Sequence, residues 1–119
     1  MKLGTWLLPL ALTWALAGSV GCERPEKTPL ARGASTFQRS CAGCHGLDGR
    51  GGSRIGMNPP PRDLTRPEFH AQVTPEQLVQ VVRLGKGQMP AFGGLMATQD
   101  IADVVAFVRT LPQLRRSGK

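Results

Sequence analysis

The sequence predicts a small all-α domain with long Gly- and Pro-rich loops, on three observations. Three segments carry helical patterning, no segment alternates apolar and polar residues as paired strands do, and Gly and Pro crowd the stretches between. The first helix is expected from Leu30 to Ala42, where Leu30, Ala34, Phe37 and Cys41 recur at spacings of four, three and four. The second opens at Thr74-Pro75-Glu76-Gln77. There Thr74 is a good N-cap, Pro75 suits the first helical position and Gln77 completes a capping box. It should run to Leu84 and stop at Gly85, with Leu78, Val81 and Val82 on its apolar face. The third is expected from Thr98, its N-cap, to Leu111, with Pro112 as the stop and Ile101, Val104, Val105, Val108 and Leu111 as the buried stripe. Three to four helices are expected in all. Residues 46–63 and 85–95 read as loops, and loops of such length in a small domain usually have a task.

The N-terminal stretch is not part of this domain. Lys2 precedes an uncharged apolar run from Leu3 to Val20, which ends in small residues before Cys22. That is the layout of a secretory signal, and Pro9, Gly18 and the small-residue end favour a cleaved segment over a permanent span. The sequence Ser19-Val20-Gly21-Cys22 resembles the lipobox of bacterial lipoproteins, although Ser19 stands where Leu is usual. The expected division is therefore a signal peptide over 1–21, a linker over 22–29 and a single domain over 30–119. Cys22 would carry the lipid anchor and place the domain outside the cytoplasm, in the periplasm or on the outer face of the cell membrane. The polar linker from Glu23 to Pro29 spans at most about 23 Å, keeping the domain near that membrane.

Without the signal the chain has neither Trp nor Tyr, because Trp6 and Trp14 both lie in it, and four Phe are its only aromatics. So few large side chains make a marginal core, which a bulky apolar cofactor would complete. The net charge of +7 falls to +6 without Lys2. Such a surface suits acidic protein partners or anionic lipid headgroups, and export argues against nucleic acid. A merely solvated basic face fits equally well.

The motif that carries chemistry is Cys41-Ala42-Gly43-Cys44-His45. Two thiols three positions apart add to the two vinyl groups of haem, and a histidine directly after the second places its imidazole under the iron. Two alternatives share these residues. A redox disulfide at Cys41 and Cys44 belongs beside a βαβ pattern that this chain lacks. A zinc site from Cys41, Cys44, His45 and His70 lacks the usual paired spacing. For the second axial position Met89 leads, since Pro90 pushes it into an extended loop. Met96, Met57 and His70 are the competitors, His70 reading otherwise as a surface histidine.

On these residues the chain resembles the small monohaem class I cytochromes c of bacteria. Gly33 and Phe37 match the family's Gly-x-x-x-aromatic pattern, His45-Gly46 continues into Asp48-Gly49-Arg50-Gly51, and Asp103 to Leu111 look like its C-terminal helix. The resemblance implies a crossing of first and last helices in which Gly33 lets Val104 and Phe107 come close. It implies one covalent haem c, held at Cys41 and Cys44, with iron ligated by His45 and by Met89 of the Met-Pro loop. It also implies a proline carbonyl that orients His45. The run Asn58-Pro59-Pro60-Pro61-Arg62 resembles that region, leaving Pro59 and Pro60 as candidates and Arg62 as a partner for a haem propionate. The implied activity is non-enzymatic electron transfer between redox partner proteins. A haem with an open distal site, serving as sensor or enzyme, and a fixed subunit of a larger oxidoreductase are the alternatives.

Overall fold

The computed structural model describes residues 27–52 and 56–118. The expected signal, Cys22 and the linker as far as residue 26 lie outside them. Six helical segments occur among the described residues: α1 (Pro29–Ser40), α2 (Ala42–His45), α3 (Pro67–Gln72), α4 (Pro75–Leu84), α5 (Thr98–Val108) and α6 (Leu111–Ser117). The only β pairing described is an isolated bridge between Lys86 and Met89. The all-α expectation holds. The helix count exceeds three to four because α2, α3 and α6 have seven residues or fewer, too short to show a period.

Two of the three expected helices, the first and the third, differ at their ends, each for a local reason. α1 starts at Pro29 rather than Leu30, because Thr28 is its N-cap, accepting from the Ala31 N–H, with Pro29 in the first turn. It ends at Ser40, and Cys41 separates it from the single turn of α2. α5 is capped by Ala97, not Thr98, and stops at Val108. Pro112 has no N–H to donate to the Val108 carbonyl, so the helix cannot continue past that point. Pro112 then sits in the first turn of α6, where a missing N–H costs nothing, so it opens a helix rather than ending the chain's helical structure. The α4 reading holds as drawn: the Thr74–Gln77 capping box is formed in both directions, and Gly85 ends the helix at φ +74°.

The core lies where α1 crosses α5. Phe37, Ile101 and Val104 are each 1% exposed, and Phe37 and Val104 form one cluster with Ala42, Leu64 and Leu111. Phe37 and Phe107 meet with ring centroids 5.4 Å apart at 53°, a tilted geometry that adds about 0.5–1.5 kcal/mol to area burial. The crossing depends on Gly33. A Cβ there would overlap the Asp103 carbonyl oxygen and come within 3.0 Å of the Phe107 Cβ. The closest approach is thus to Asp103 and Phe107, while Val104 packs in the adjoining core. Asp103 is itself buried, and its carboxylate accepts from Arg32 Nε at 2.7 Å and from Gln99 Nε2 at 2.9 Å.

Candidate haem site

The α1–α2 junction presents the motif. Cys41 ends α1 with its N–H donating to Phe37, and its own carbonyl accepts from Cys44 and His45 at 3.1 and 2.9 Å. This winds Cys41 to His45 into one helical turn directly off the core helix. Both thiols are half-buried and free of any disulfide. Burial first, and the neighbouring Cys44 second, push the Cys41 thiol up to about 11. Burial of this kind disfavours the thiolate that a redox thiol needs near neutral pH. Nor do the four residues of the zinc alternative converge: among the described residues no three His, Cys, Asp or Glu side chains group around a common point.

His45 Nδ1–H donates to the Arg62 carbonyl at 3.0 Å. That oxygen belongs to neither Pro59 nor Pro60, which corrects the sequence expectation. Three prolines and an arginine in a row offer equivalent carbonyls, and only the path of the loop selects among them. A carbonyl oxygen only accepts, so Nδ1 carries the hydrogen of this bond.

Met89 is half-buried in the loop after α4. Its backbone pairs with Lys86 in both directions, at 3.0 and 3.1 Å. Phe92 and Gly93 donate back to the carbonyls of Val82 and Arg83 at 2.9 and 3.0 Å, folding the loop onto the end of α4. Gln88 Nε2 donates to the Asn58 carbonyl at 2.7 Å, tying the Met89 loop to the stretch that leads to Arg62. Met96 is half-buried just before α5, its N–H bonded to Phe92, and Met57 is half-buried before Asn58.

His70 is not a surface histidine. It lies on α3, a helix that sequence patterning missed, and its Nε2–H donates to the Leu64 carbonyl at 2.7 Å, which leaves that nitrogen no lone pair for a metal. Its Nδ1 is buried without a hydrogen-bond partner. Arg109 holds the end of this segment, donating to the carbonyls of His70 and Val73 at 3.0 and 3.1 Å.

The surroundings fit a haem. α4 has no buried residue, yet Leu78, Val79, Val81 and Val82 are half-buried, so its apolar face is only partly covered by protein. A cavity of about 370 Å³ is lined by Phe69 and Val73 together with Arg62, Arg66, Lys86, Glu68 and Gln72. The three cationic side chains outnumber the one carboxylate, Glu68, and suit a ligand that carries carboxylates. The Arg62 guanidinium lies 5.6 Å from the Phe69 ring centroid, a cation–π contact at the cavity wall.

An all-α fold that presents Cys-x-x-Cys-His on a helical turn, with the histidine's Nδ1 held by a backbone carbonyl, defines a c-type cytochrome. The family model described as cytochrome c oxidase, cbb3-type, subunit III matches residues 28–108. The chain belongs to this family of c-type cytochromes and binds haem c, with its iron, covalently. It is similar to cytochrome c6 of Synechococcus elongatus, 33% identical over 79 residues, which cover 66% of this chain and 86% of that protein. It is also similar to the cbb3-type cytochrome c oxidase subunit FixP of Azorhizobium caulinodans, 33% identical over 95 residues, or 78% of this chain and 31% of that protein. The cytochrome bc1 complex cytochrome c subunit of Mycobacterium leprae is 28% identical over 105 residues, or 85% of this chain and 33% of that protein. The chain thus spans about a third of the oxidase and bc1 relatives but most of cytochrome c6. The general activity that follows is haem-based electron transfer.

Proposed function

We propose that this chain carries single electrons on a haem attached through Cys41 and Cys44, with its iron held by His45 and Met89. The supporting observation is the α2 turn, where both thiols stand beside a histidine whose Nδ1–H is spent on the Arg62 carbonyl, so that Nε2 faces the task of ligation. When bound, the haem would supply one-electron iron chemistry, and His45 and Met89 would hold its iron. The residues of the chain hold that geometry. α1 carries the Cys41–His45 turn, the Arg62 carbonyl orients the imidazole, and Pro90 keeps Met89 extended. Arg62 is the proposed propionate partner, on the strength of its place at the cavity wall.

The carrier is proposed to act outside the cytoplasm, between redox partner proteins with acidic docking surfaces, and anchored to a membrane through lipidated Cys22. No helix among the described residues is long and apolar enough to cross a membrane. A second reading, a fixed haem subunit of a larger oxidoreductase, is favoured by the similarity to FixP and to the bc1 complex subunit. A stable co-purifying protein would select it over the free carrier.

Optical spectra of the purified holoprotein test the ligand set. Low-spin ferric and ferrous bands, a methionine-to-iron charge-transfer feature that Met89→Ala abolishes, and no ready carbon monoxide binding are expected. A high-spin spectrum with rapid carbon monoxide binding would overturn the closed carrier.

A further inference from the structure

The loop that holds His45 is itself held from the far end of the chain. Thr65, 2% exposed, lies three residues after the carbonyl that accepts from His45. Its Oγ1 donates to Asp63 Oδ1 at 2.6 Å and accepts from Arg115 Nη1 of α6 at 3.2 Å. Its backbone N–H donates to the same Asp63 oxygen at 2.8 Å. Between them, Leu64 is pinned by its N–H to Gly49 at 2.8 Å and by its carbonyl to His70 at 2.7 Å. Burial pushes the Asp63 carboxyl up, but the two Thr65 bonds and the charges of Arg115 and Arg66 outweigh it and hold the group below its ordinary value. On the other side of Arg62, the Pro61 carbonyl packs so closely on Gly51 that a Cβ there would overlap it. Gly51 in turn donates to the His45 carbonyl at 2.7 Å. The Arg62 carbonyl therefore sits between two clamps, one of which reaches α6.

We propose that Thr65, gripped by Asp63 and Arg115, is a positioning residue for His45: it fixes the Arg62 carbonyl against Nδ1–H and through that bond sets the reduction potential. The proposal rests on the reading of His45 as the proximal iron ligand. A ligating histidine that donates its other N–H to a carbonyl is a more basic ligand. Greater donation favours oxidised iron and lowers the potential, so loosening the clamp raises it.

The test compares wild type, Thr65→Val, Thr65→Ser and Arg115→Gln as holoproteins, by midpoint potential and by the exchange rate of the His45 Nδ1–H in NMR spectra of the reduced state. Thr65→Val is expected to shift the reduction equilibrium about tenfold toward the reduced form, a rise of about 59 mV, and to speed exchange. Thr65→Ser keeps the hydroxyl and is expected to restore both. Arg115→Gln separates positioning from plain electrostatics, since loss of a positive charge alone lowers the potential, whereas loss of the clamp raises it. Arg115 lies on an exposed face of α6, so this variant carries the test if Thr65→Val fails to fold. A fall in Arg115→Gln, or an unchanged potential and exchange rate in a folded Thr65→Val, overturns the proposal alone. A wild-type spectrum without a ring-current-shifted His45 resonance would overturn the ligand reading and the positioning role together.

Discussion

The α1–α5 crossing and the α4–Met89 region are built to different standards of completeness. At the crossing, protein covers protein: Phe37, Ile101 and Val104 are closed off from solvent, Gly33 lets the backbones touch, and the buried carboxylate of Asp103 is matched by Arg32 and Gln99. In α4 no residue is buried, although the helix has a well-formed capping box and an apolar face. Leu84 and Leu95 at this end of the molecule are 72% and 79% exposed. Local signals thus suffice to wind α4, but protein alone does not bury it. The difference teaches that one half of the domain is held by its own packing, while the other, on the proposed haem site, would draw on the prosthetic group for its interior.

The largest effect should come from removing that group. In the Cys41→Ser/Cys44→Ser double variant, which lacks the proposed attachment, hydrogen exchange should show α4 and residues 85–95 opening at within about 1 kcal/mol of zero, with protection surviving longest in α1 and α5. Equal loss in both regions would break the contrast. Within the crossing, Phe37→Ala should cost about 3–5 kcal/mol in denaturant unfolding of the holoprotein, as for other buried phenylalanines. A loss below about 1 kcal/mol would mean that the crossing is not the principal core. Gly33→Ala tests the close approach, and overpacking against the Asp103 backbone should cost about 1–3 kcal/mol by the same measurement. In the other region Thr74→Ala removes the cap of α4 and should cost about 1 kcal/mol, read most clearly as faster exchange in the first turn of that helix.

The smallest effect is a pH dependence at the crossing, because a half-exposed ion-pair partner such as Arg32 contributes little. The hydrogen bond from Arg32, then that from Gln99, holds the Asp103 carboxyl below its ordinary value. Its stabilisation is therefore fully present above the unfolded carboxylate pKa of about 4, and is lost as pH falls through the lower folded value. Thermal unfolding from pH 6 downward should show wild type losing its advantage over Asp103→Asn only below about pH 4. An advantage that is the same at every pH would remove the ion pair from the account of the crossing.

Much of this was legible in the chain itself. The helical periods of α1 and α5, the capping box of α4 and its Gly85 stop are local, and each was placed within a few residues. The Cys41–His45 motif is local as well, since a single helical turn sets the relation of its side chains. The misreadings share one cause. The sequence reads Pro112 as a stop, whereas it both ends α5 and opens α6. It reads His70 as a surface residue, whereas α3 turns it onto the Leu64 carbonyl. A six-residue helix leaves no periodic signal, and a proline has the same local preference whether it follows one helix or starts the next.

By itself the sequence determined an all-α class, three principal helices and the haem-attachment motif, because all of these rest on spacings within a turn or two; the glycine at the helix crossing came from the family resemblance. Only the tertiary structure decided that Arg62, rather than a proline, supplies the carbonyl to His45. It alone joined Arg115 to Thr65 across 50 residues, and Gln88 to Asn58 across 30. Such contacts follow from where loops are carried by the helices they connect. Neither residue type nor spacing encodes that path; it is settled by the packing of α1 on α5 and by the hydrogen bonds that the loops then have within reach.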